Sequence, residues 1–178
     1  MIIVDLEMSG IEVEKYSILS IGALDFENQE NTFYGECRLM EGTSFDPQAL
    51  RVNGFSEDHI KKCKTSCEEL VKEFYVWSKK IKERTLGGQN PGSMDIPFLK
   101  KAFDKYNFSW IYGHRIVDSH SLAYGYFRRK GMKIPLKEGT SGLSLDFLIE
   151  YFNLEKRDFH NALEDAKLTA EVIKRVLV

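Results

Sequence analysis

Residues 1–10 read MIIVDLEMSG, and this stretch predicts the strand around which the rest of the fold is built. The apolar run at its start is typical of a buried strand. Asp5 and Glu7 lie two residues apart, and residues two apart in a strand point to the same side of a sheet. Two acids at the end of one strand are usually only exposed side chains. A functional role for them therefore depends on which other residues of the chain lie near them.

The order of the other predicted elements defines the fold class. Residues 17–26 form a second apolar run and residues 31–40 alternate in polarity, so the polar segment 27–30 predicts a hairpin turn. Short strands are then expected at 86–90 and 115–118, alternating with helices. Helices are expected to begin after Ser56 and Ser66, to run through Leu122 and Phe127, and to occupy residues 96–106, 145–152 and 162–177.

This order predicts an α/β fold with one mixed β-sheet. The first three strands are expected to be antiparallel, the later ones parallel, and the sheet is expected to be flanked by helices. No linker, repeat or low-complexity segment divides the chain. Residues 1–178 are therefore expected to form a single domain.

The composition is that of a soluble globular protein. Of the 178 residues, 43% are hydrophobic and 29% are charged, which excludes a disordered chain. The net charge of −2 does not favour a nucleic-acid partner, although basic clusters at 61–64, 79–84 and 128–133 can form a local rim. The three cysteines cannot all pair, and neither a leader nor a membrane-length apolar run is visible. We therefore expect a cytoplasmic protein with reduced cysteines and no membrane partner.

Two later motifs contribute further acids and a histidine. Asp95 lies in GGQNPGSMDIPFL, residues 87–99, where it is expected to cap the helix that follows. HNALEDAKLTAEVI, residues 160–173, places Asp165 in the first turn of the last helix and His160 just before it. Because Asp165 borders the apolar stripe of that helix, its side chain need not face water.

The carboxylates of Asp5, Glu7, Asp95 and Asp165 are explained together if they meet at one site. Four carboxylates without cations would repel one another, and some would have to stay protonated. Divalent metal ions remove that repulsion and supply chemistry suited to cutting phosphodiesters. The four acids therefore predict a metal site.

The motifs resemble those of the DEDDh family of 3′–5′ exonucleases. They stand here as VDLEMSG, as QNPGSMD followed by IPFL, and as HNALEDAKLTAEVI with its His-x4-Asp spacing, and the intervening RVNGFSEDHI is similar as well. The resemblance covers nearly the whole chain. It implies a ribonuclease H-like sheet and a hydrolase that releases nucleoside 5′-monophosphates from the 3′ ends of single-stranded nucleic acid or short oligonucleotides.

The resemblance also implies roles for the motif residues. Asp5, Glu7 and Asp165 are expected to hold two Mg²⁺ or Mn²⁺ ions directly, and Asp95 is expected to complete this catalytic metal site. His160 is expected to be the general base. Its ordinary pKa of about 6.5 suits proton transfer around neutral pH.

The second motif departs from the family pattern at two points. Asp95 lies five positions after Asn90 where four are usual, and Gln89 stands where the family usually has a histidine. Asp95 is kept in the predicted site because no other nearby acid is suitably placed. Asp118, by contrast, is interpreted as a structural cap of the helix that follows it.

The resemblance further implies which residues contact substrate. Backbone groups of Met8 and Ser9 are expected to hold the terminal 3′-OH. Phe55 is expected either to stack near the terminal base or to pack in the core. Asn53 and Asn90 are expected to make polar contacts with the substrate.

Several functions stay open at the level of sequence. Within the family, oligoribonuclease-like activity on very short RNA or RNase T-like processing of RNA 3′ ends is the alternative. Outside it, a catalytically idle nucleic-acid-binding module and an endonuclease are the alternatives. DNA or RNA preference and the oligomeric state are left open, because discrimination of the 2′-OH depends on pocket detail. No polymerase-docking tail is evident after the last helix, which favours a stand-alone enzyme.

Overall fold

The computed structural model of the protein describes residues 1–155 and 160–178. Within these ranges the main sheet has five strands, in the order β3-β2-β1-β4-β5. Strands β1, β2 and β3 are antiparallel neighbours, whereas β4 and β5 run parallel to β1. The predicted mixed sheet is therefore confirmed. The strands are β1 Ile2–Met8, β2 Ile18–Asp25, β3 Asn28–Glu36, β4 Leu86–Gly88 and β5 Ile116–Asp118, with a separate small hairpin of β6 Leu136–Lys137 and β7 Thr140–Ser141.

The hairpin between β2 and β3 is tighter than the sequence predicts. Asp25 pairs directly with Asn28, so only residues 26 and 27 form the turn. The polar residues 28–30, which suggested a longer turn, extend β3 instead, and β3 ends at Glu36. Polar residues are tolerated in this strand because it lies at the edge of the sheet and is partly exposed to water.

Seven helices are formed by the described residues. Ser56 and Ser66 cap the second and third of them as predicted, and Ser66 forms a capping box with Glu69. The first helix was not predicted, although Asp46 caps it and Pro47 occupies its first turn, which is a recognised start signal. None of these seven helices is long and apolar enough to cross a membrane. They are α1 Pro47–Val52, α2 Glu57–Lys62, α3 Cys67–Ser78, α4 Asp95–Lys105, α5 Ser119–Arg129, α6 Leu145–Tyr151 and α7 Ala162–Val176.

The side chains of β1 divide between the two faces of the sheet. The even-numbered residues pack with α3 and α4 in the largest core. Ile3 points to the other face, where it packs with Ala166 and Ala170 of α7. Because side chains alternate along a strand, Asp5 and Glu7 share the α7 face with Ile3. The two acids therefore lie on the side of the sheet that α7 covers.

A glycine in β2 allows α7 to begin against the sheet. Gly22 is the direct partner of Asp5 in the β1–β2 ladder. A Cβ atom at this position would lie 2.1 Å from the backbone carbonyl carbon of Ala162 and 2.1 Å from the backbone nitrogen of Leu163. A side chain here would therefore push the helix away. Because Gly22 has no side chain, the first turn of α7 can pack beside the acids of β1.

Gly22→Ala is expected to destabilise the protein, because the added Cβ must displace helix backbone rather than a flexible side chain. Overpacking of this kind costs roughly 1–3 kcal/mol, which corresponds to a Tm decrease of about 3–10 °C for a chain of this size. Thermal unfolding measures the effect. The control is Gly125→Ala in α5, where no neighbouring element lies within 4 Å of the added Cβ. Alanine is the better helix former there by about 1 kcal/mol, so an equal loss of stability in both variants would contradict the prediction.

Candidate active site

Three of the predicted site residues form a compact cluster. One ligand atom from each of Glu7, His160 and Asp165 lies within 4.8 Å of the other two. His160 Nδ1 is 3.3 Å from Asp165 Oδ2. Glu7 and Asp165 are 8% and 3% exposed, whereas the His160 side chain is 40% exposed. The cluster therefore places two buried carboxylates beneath an imidazole that is accessible from solvent.

The start of α7 positions Asp165 and His160. Asn161 caps the helix, because its side-chain oxygen accepts hydrogen bonds from the backbone N–H groups of Leu163 and Glu164. The backbone N–H of Asp165 donates to the Asn161 carbonyl at 2.8 Å, which makes Asp165 part of the first turn. The cap thus fixes His160 immediately before the helix and Asp165 on its buried side.

Asp5 lies next to this cluster, but it is not one of the three residues whose ligand atoms lie within 4.8 Å of one another. It is half-buried and sits two residues before Glu7 on the same face of β1. Its partner in β2 is Gly22, against which the first turn of α7 packs. Asp5 is therefore placed at the junction between β1 and the start of α7.

Asp95 is not the helix cap that the sequence predicts. The cap position of α4 is Met94, which makes no side-chain cap bond, and Asp95 is the first helical residue. The Asp95 side chain is buried and its Oδ1 accepts a hydrogen bond of 2.9 Å from the backbone N–H of Leu6. The reason is that β4 pairs with β1 only at Ile2 and Ile3, so the strand lacks a β4 acceptor further along. Asp95 supplies that acceptor between the two acids of β1.

Burial has a strong effect on the Asp95 carboxyl group. It raises the pKa of Asp95 from 3.8 to about 7, while the hydrogen bond from Leu6 acts in the opposite direction. Without a cation nearby, this carboxyl group therefore holds its proton up to neutral pH.

Asp95→Asn is expected to stabilise the metal-free protein at pH 8 by up to about 4 kcal/mol. Between pH 3.8 and about 7 the unfolded chain loses a proton that the folded protein keeps. The stability of the wild type therefore falls as the pH rises through this window. Asparagine removes the charge and retains an oxygen to accept from Leu6.

Thermal unfolding at pH 4 and pH 8 tests this prediction. The variant should gain stability over the wild type at pH 8 and much less at pH 4. The control is Asp104→Asn, which changes an exposed acid on the same helix. A variant that is less stable than the wild type at pH 8 would show that burial does not disfavour the ionised form of Asp95.

Two clefts meet at Glu7 and Asn53. The larger cleft has a volume of about 350 Å³ and a mainly apolar lining. The smaller has a volume of about 210 Å³ and a mainly polar lining that includes His160. The apolar cleft is lined by Met8, Gly10, Ile11, Ala49 and Val52 together with Asp46 and Gln48, and the polar cleft by Ser20, Tyr34, Glu36, Gly54, Phe55, Ser56, His59 and Asn161.

The segment after the acidic pair is held by internal hydrogen bonds. Asn53 is buried, and its side-chain N–H donates to the Met8 carbonyl at 3.0 Å. Ser9 is fully buried, and its hydroxyl donates to the Ser44 carbonyl at 2.7 Å and accepts from the Ser17 backbone N–H at 3.0 Å. The structure therefore places Met8 in the wall of the apolar cleft and Ser9 beneath it.

The other two predicted substrate contacts lie in different surroundings. Phe55 packs against the cluster that contains Leu50 and Ile60, as one of the two expectations has it, and it also lines the polar cleft. Asn90 is exposed at the end of β4 with a positive φ of 51°, and its backbone N–H donates to Asp118 at 2.9 Å. It lines neither cleft. Asp118 caps α5, which confirms its structural interpretation.

Sequence reasoning missed the polar residues of β3 that face the site. Tyr34 and Glu36 alternate with more apolar residues, which was the available signal for a shared face. Glu36 pairs with His59, 23 residues later in the chain. That partner was not predictable, because α2 reaches β3 only in the folded protein.

The donor set of the cluster fits a divalent cation. Two buried carboxylates at this separation concentrate negative charge in a poorly solvated place, and a cation compensates such charge. Carboxylate oxygens are hard ligands of the kind that Mg²⁺ and Mn²⁺ prefer. Glu7 and Asp165 could hold such an ion, with Asp5 next to them on the same strand.

Comparisons with known proteins agree with the motifs. The model of the RNase T exonuclease family matches residues 2–173. The DNA polymerase III subunit epsilon of Treponema pallidum is 23% identical over 173 residues, which are 97% of this chain and 74% of that protein.

Solved structures show the same fold. Escherichia coli exonuclease I in complex with a dT13 oligonucleotide superposes with a TM-score of 0.82 at 16% identity, covering 98% of this chain and 40% of that one. The zinc-bound form of the E. coli exonuclease I complex with single-stranded DNA has a TM-score of 0.79 at 16% identity, covering 97% and 39%. This chain thus spans about 40% of the length of these exonuclease I chains. The expected ribonuclease H-like fold is confirmed.

The family model covers nearly all of the chain, and the three sequence motifs occur within the matched residues. The protein therefore belongs to the RNase T exonuclease family, within the DEDDh group of 3′–5′ exonucleases.

Proposed function

We propose that this chain hydrolyses phosphodiester bonds from the 3′ ends of single-stranded nucleic acid or short oligonucleotides and releases nucleoside 5′-monophosphates. The observation that carries the proposal is the cluster of Glu7, His160 and Asp165 within 4.8 Å, at the meeting point of two clefts. A member of an exonuclease family with this arrangement has the groups that the reaction needs.

We propose that Asp5, Glu7 and Asp165 hold two Mg²⁺ or Mn²⁺ ions and that Asp95 completes the site. When bound, such ions activate water and stabilise charge on the leaving oxygen. The contribution of Asp95 to the protein is to fix the β1 backbone between the two acids through Leu6. A fixed backbone keeps Asp5 and Glu7 in one orientation, which favours a preorganised site.

His160 is proposed as the general base. Its Nδ1 lies 3.3 Å from Asp165 Oδ2, and an N–H at Nδ1 that donates to this carboxylate makes Nε2 the proton acceptor of the ring. The 40% exposure of the side chain leaves it accessible to the attacking water. The ring is thus oriented by an acid of the same cluster, as general bases commonly are.

The two clefts suggest how the substrate lies. The apolar cleft between β1 and α1 suits the terminal nucleoside, because bases and sugars bury apolar surface there. Met8 forms part of its wall and Ser9 supports the segment that carries the wall. Phe55 and Asn53 lie beside the cluster, where stacking and polar contacts with the last nucleotides are proposed. Asn90 is proposed as a more distant polar contact.

Residues 1–178 are proposed to act as one exonuclease domain, with single-stranded nucleic acid as the partner. Cys37, Cys63 and Cys67 are free thiols, which suits the reducing cytoplasm that we propose as the place of action.

Digestion of 5′-labelled single-stranded DNA, RNA and dinucleotides with Mg²⁺ or Mn²⁺ tests the function. A ladder that shortens from the 3′ end and releases 5′-monophosphates is expected. Preference for RNA or for dinucleotides would identify the RNase T-like or oligoribonuclease-like activity. Cleavage of a circular single strand would instead indicate an endonuclease, and binding without cleavage would indicate an idle module. Asp165→Asn is the inactive control.

A further inference from the structure

A row of polar side chains leads from the acidic pair across the sheet to its outer strand. Glu7 is paired with Ser20 in β2, and Ser20 is paired with Glu36 in β3. Residues paired directly across neighbouring strands point to the same face of a sheet. Tyr34 lies two residues before Glu36, so it points to that face as well. Strand β3 therefore presents two polar side chains on the face that carries the active site.

These side chains form a continuous hydrogen-bonded chain. The Tyr34 hydroxyl donates to Glu36 Oε1 at 2.5 Å. The other oxygen of the same carboxylate is 2.5 Å from His59 Nε2. At the opposite end, the side-chain N–H of Asn161 donates to the Tyr34 hydroxyl at 3.4 Å. These hydrogen bonds thus connect α2, β3 and the start of α7, and we call the linked side chains the Tyr34–Glu36–His59 network.

The protonation state of the Tyr34 hydroxyl determines which group donates in each of its hydrogen bonds. Partial burial and the hydrogen bond to Glu36 raise the pKa of the Tyr34 phenol well above its usual range. The hydroxyl therefore keeps its proton around neutral pH. It donates that proton to Glu36 and offers its lone pairs to Asn161.

Asn161 connects this network to the cluster. Its side-chain oxygen caps α7, whereas its side-chain nitrogen contacts Tyr34. One amide group therefore fixes both the start of the helix and its place over the sheet. His160 precedes Asn161 directly, and it lines the same cleft of about 210 Å³ as the three members of the network.

Stability alone does not account for the network. The side chains of His59 and Glu36 are 52% and 29% exposed, and exposed pairs of this kind contribute little to stability. Three polar side chains directed into the cleft beside His160 are better explained by control of geometry. Groups that orient reacting residues are worth roughly 10–100-fold in activity at metal sites.

We propose that Tyr34 and Glu36, held by His59, are positioning residues that fix His160 for proton transfer by holding Asn161. The inference rests on the proposed exonuclease function for its kinetic test. A positioning role lowers kcat and leaves KM and metal binding nearly unchanged, because the substrate and metal groups are intact.

Tyr34→Phe is the first test. It removes both hydrogen bonds of the hydroxyl and keeps the ring. We expect kcat on a single-stranded oligonucleotide to fall about 10-fold and KM to change by less than about twofold. The Mn²⁺-induced rise in Tm should match that of the wild type. The control is Tyr124→Phe in α5, since Tyr124 is 43% exposed and Tyr34 is 41% exposed.

Asn161→Ser is the second test, and it separates the cap from the contact with Tyr34. Serine caps helices about as well as asparagine, but it has no amide to reach the Tyr34 hydroxyl. The variant should reproduce the fall in kcat. Because both substitutions break the same hydrogen bond, the double variant should be no slower than the slower single variant. Effects that multiply would overturn the proposed route through Asn161.

A third measurement does not depend on activity. The chain has four histidines, and the imidazole resonances in an NMR spectrum can be assigned by comparison with His160→Ala. Tyr34→Phe and Asn161→Ser should both shift the His160 resonance, and Tyr124→Phe should not. Unchanged His160 resonances and wild-type kcat in both variants would overturn the inference. If the wild type has no nuclease activity but both variants still shift the His160 resonance, the proposed function is rejected and the role of the network in positioning His160 is retained.

Discussion

Asp165→Asn is expected to lower kcat at least about 1000-fold, because it removes a charged group worth several kcal/mol of transition-state stabilisation. Asp165 is 3% exposed and lies in the first turn of α7, where the cap at Asn161 fixes it toward Glu7 and His160. Digestion of a 5′-labelled single-stranded oligonucleotide measures the loss.

A second readout of the same variant concerns metal binding. The wild type is expected to gain thermal stability when Mn²⁺ is added, because a ligand that binds only the folded state stabilises it. Asp165→Asn should lose most of that gain. The matched control is Glu164→Gln, which changes the preceding, exposed acid that pairs with Lys167. Retention of a tenth of wild-type activity by Asp165→Asn, or an undiminished Mn²⁺ effect, would remove Asp165 from the metal site.

His160→Ala is expected to lower kcat by roughly 100- to 10,000-fold, the usual range for loss of a general base. Unlike the loss of Asp165, this change leaves the carboxylates in place. The Mn²⁺-induced rise in Tm should therefore remain close to that of the wild type. The activity of the variant should be partly restored by added imidazole, which can enter because the His160 side chain is 40% exposed in the wild type.

The histidine control is His114→Ala, an exposed residue that lies before β5 and lines neither of the clefts at Glu7. It should have wild-type activity. Full activity in His160→Ala would show that another group accepts the proton. A large loss of the Mn²⁺ effect in His160→Ala would instead mark the imidazole as a metal ligand.

Elements with strong local signals were predicted well from sequence. The start of α3 is an example, because Ser66 and Glu69 satisfy each other's backbone groups within one turn. The shared face of Asp5 and Glu7 follows equally from the alternation of a strand. The start of α1 was missed although Asp46 and Pro47 signal it, so that error was one of interpretation.

Asp95 shows where local reasoning fails. An aspartate before a helix is normally a cap, and the sequence offers no reason to think otherwise. Its hydrogen bond to Leu6 spans 89 residues and exists because β4 is too short to pair with the end of β1. The length and register of a neighbouring strand, not the local sequence, decided what this carboxyl group does.

The sequence by itself determined which residues we propose as carriers of the chemistry: the acid pair of β1, the acid of the second motif, and the histidine and acid of the last motif. Only the tertiary structure decided which contacts between distant elements position these side chains. The approach of α7 over Gly22 and the contact of Tyr34 with Asn161, 127 residues apart, depend on strand register and on glycine at one position. Local patterns record the periodicity of one element at a time, whereas these contacts arise only when elements distant in sequence pack against each other.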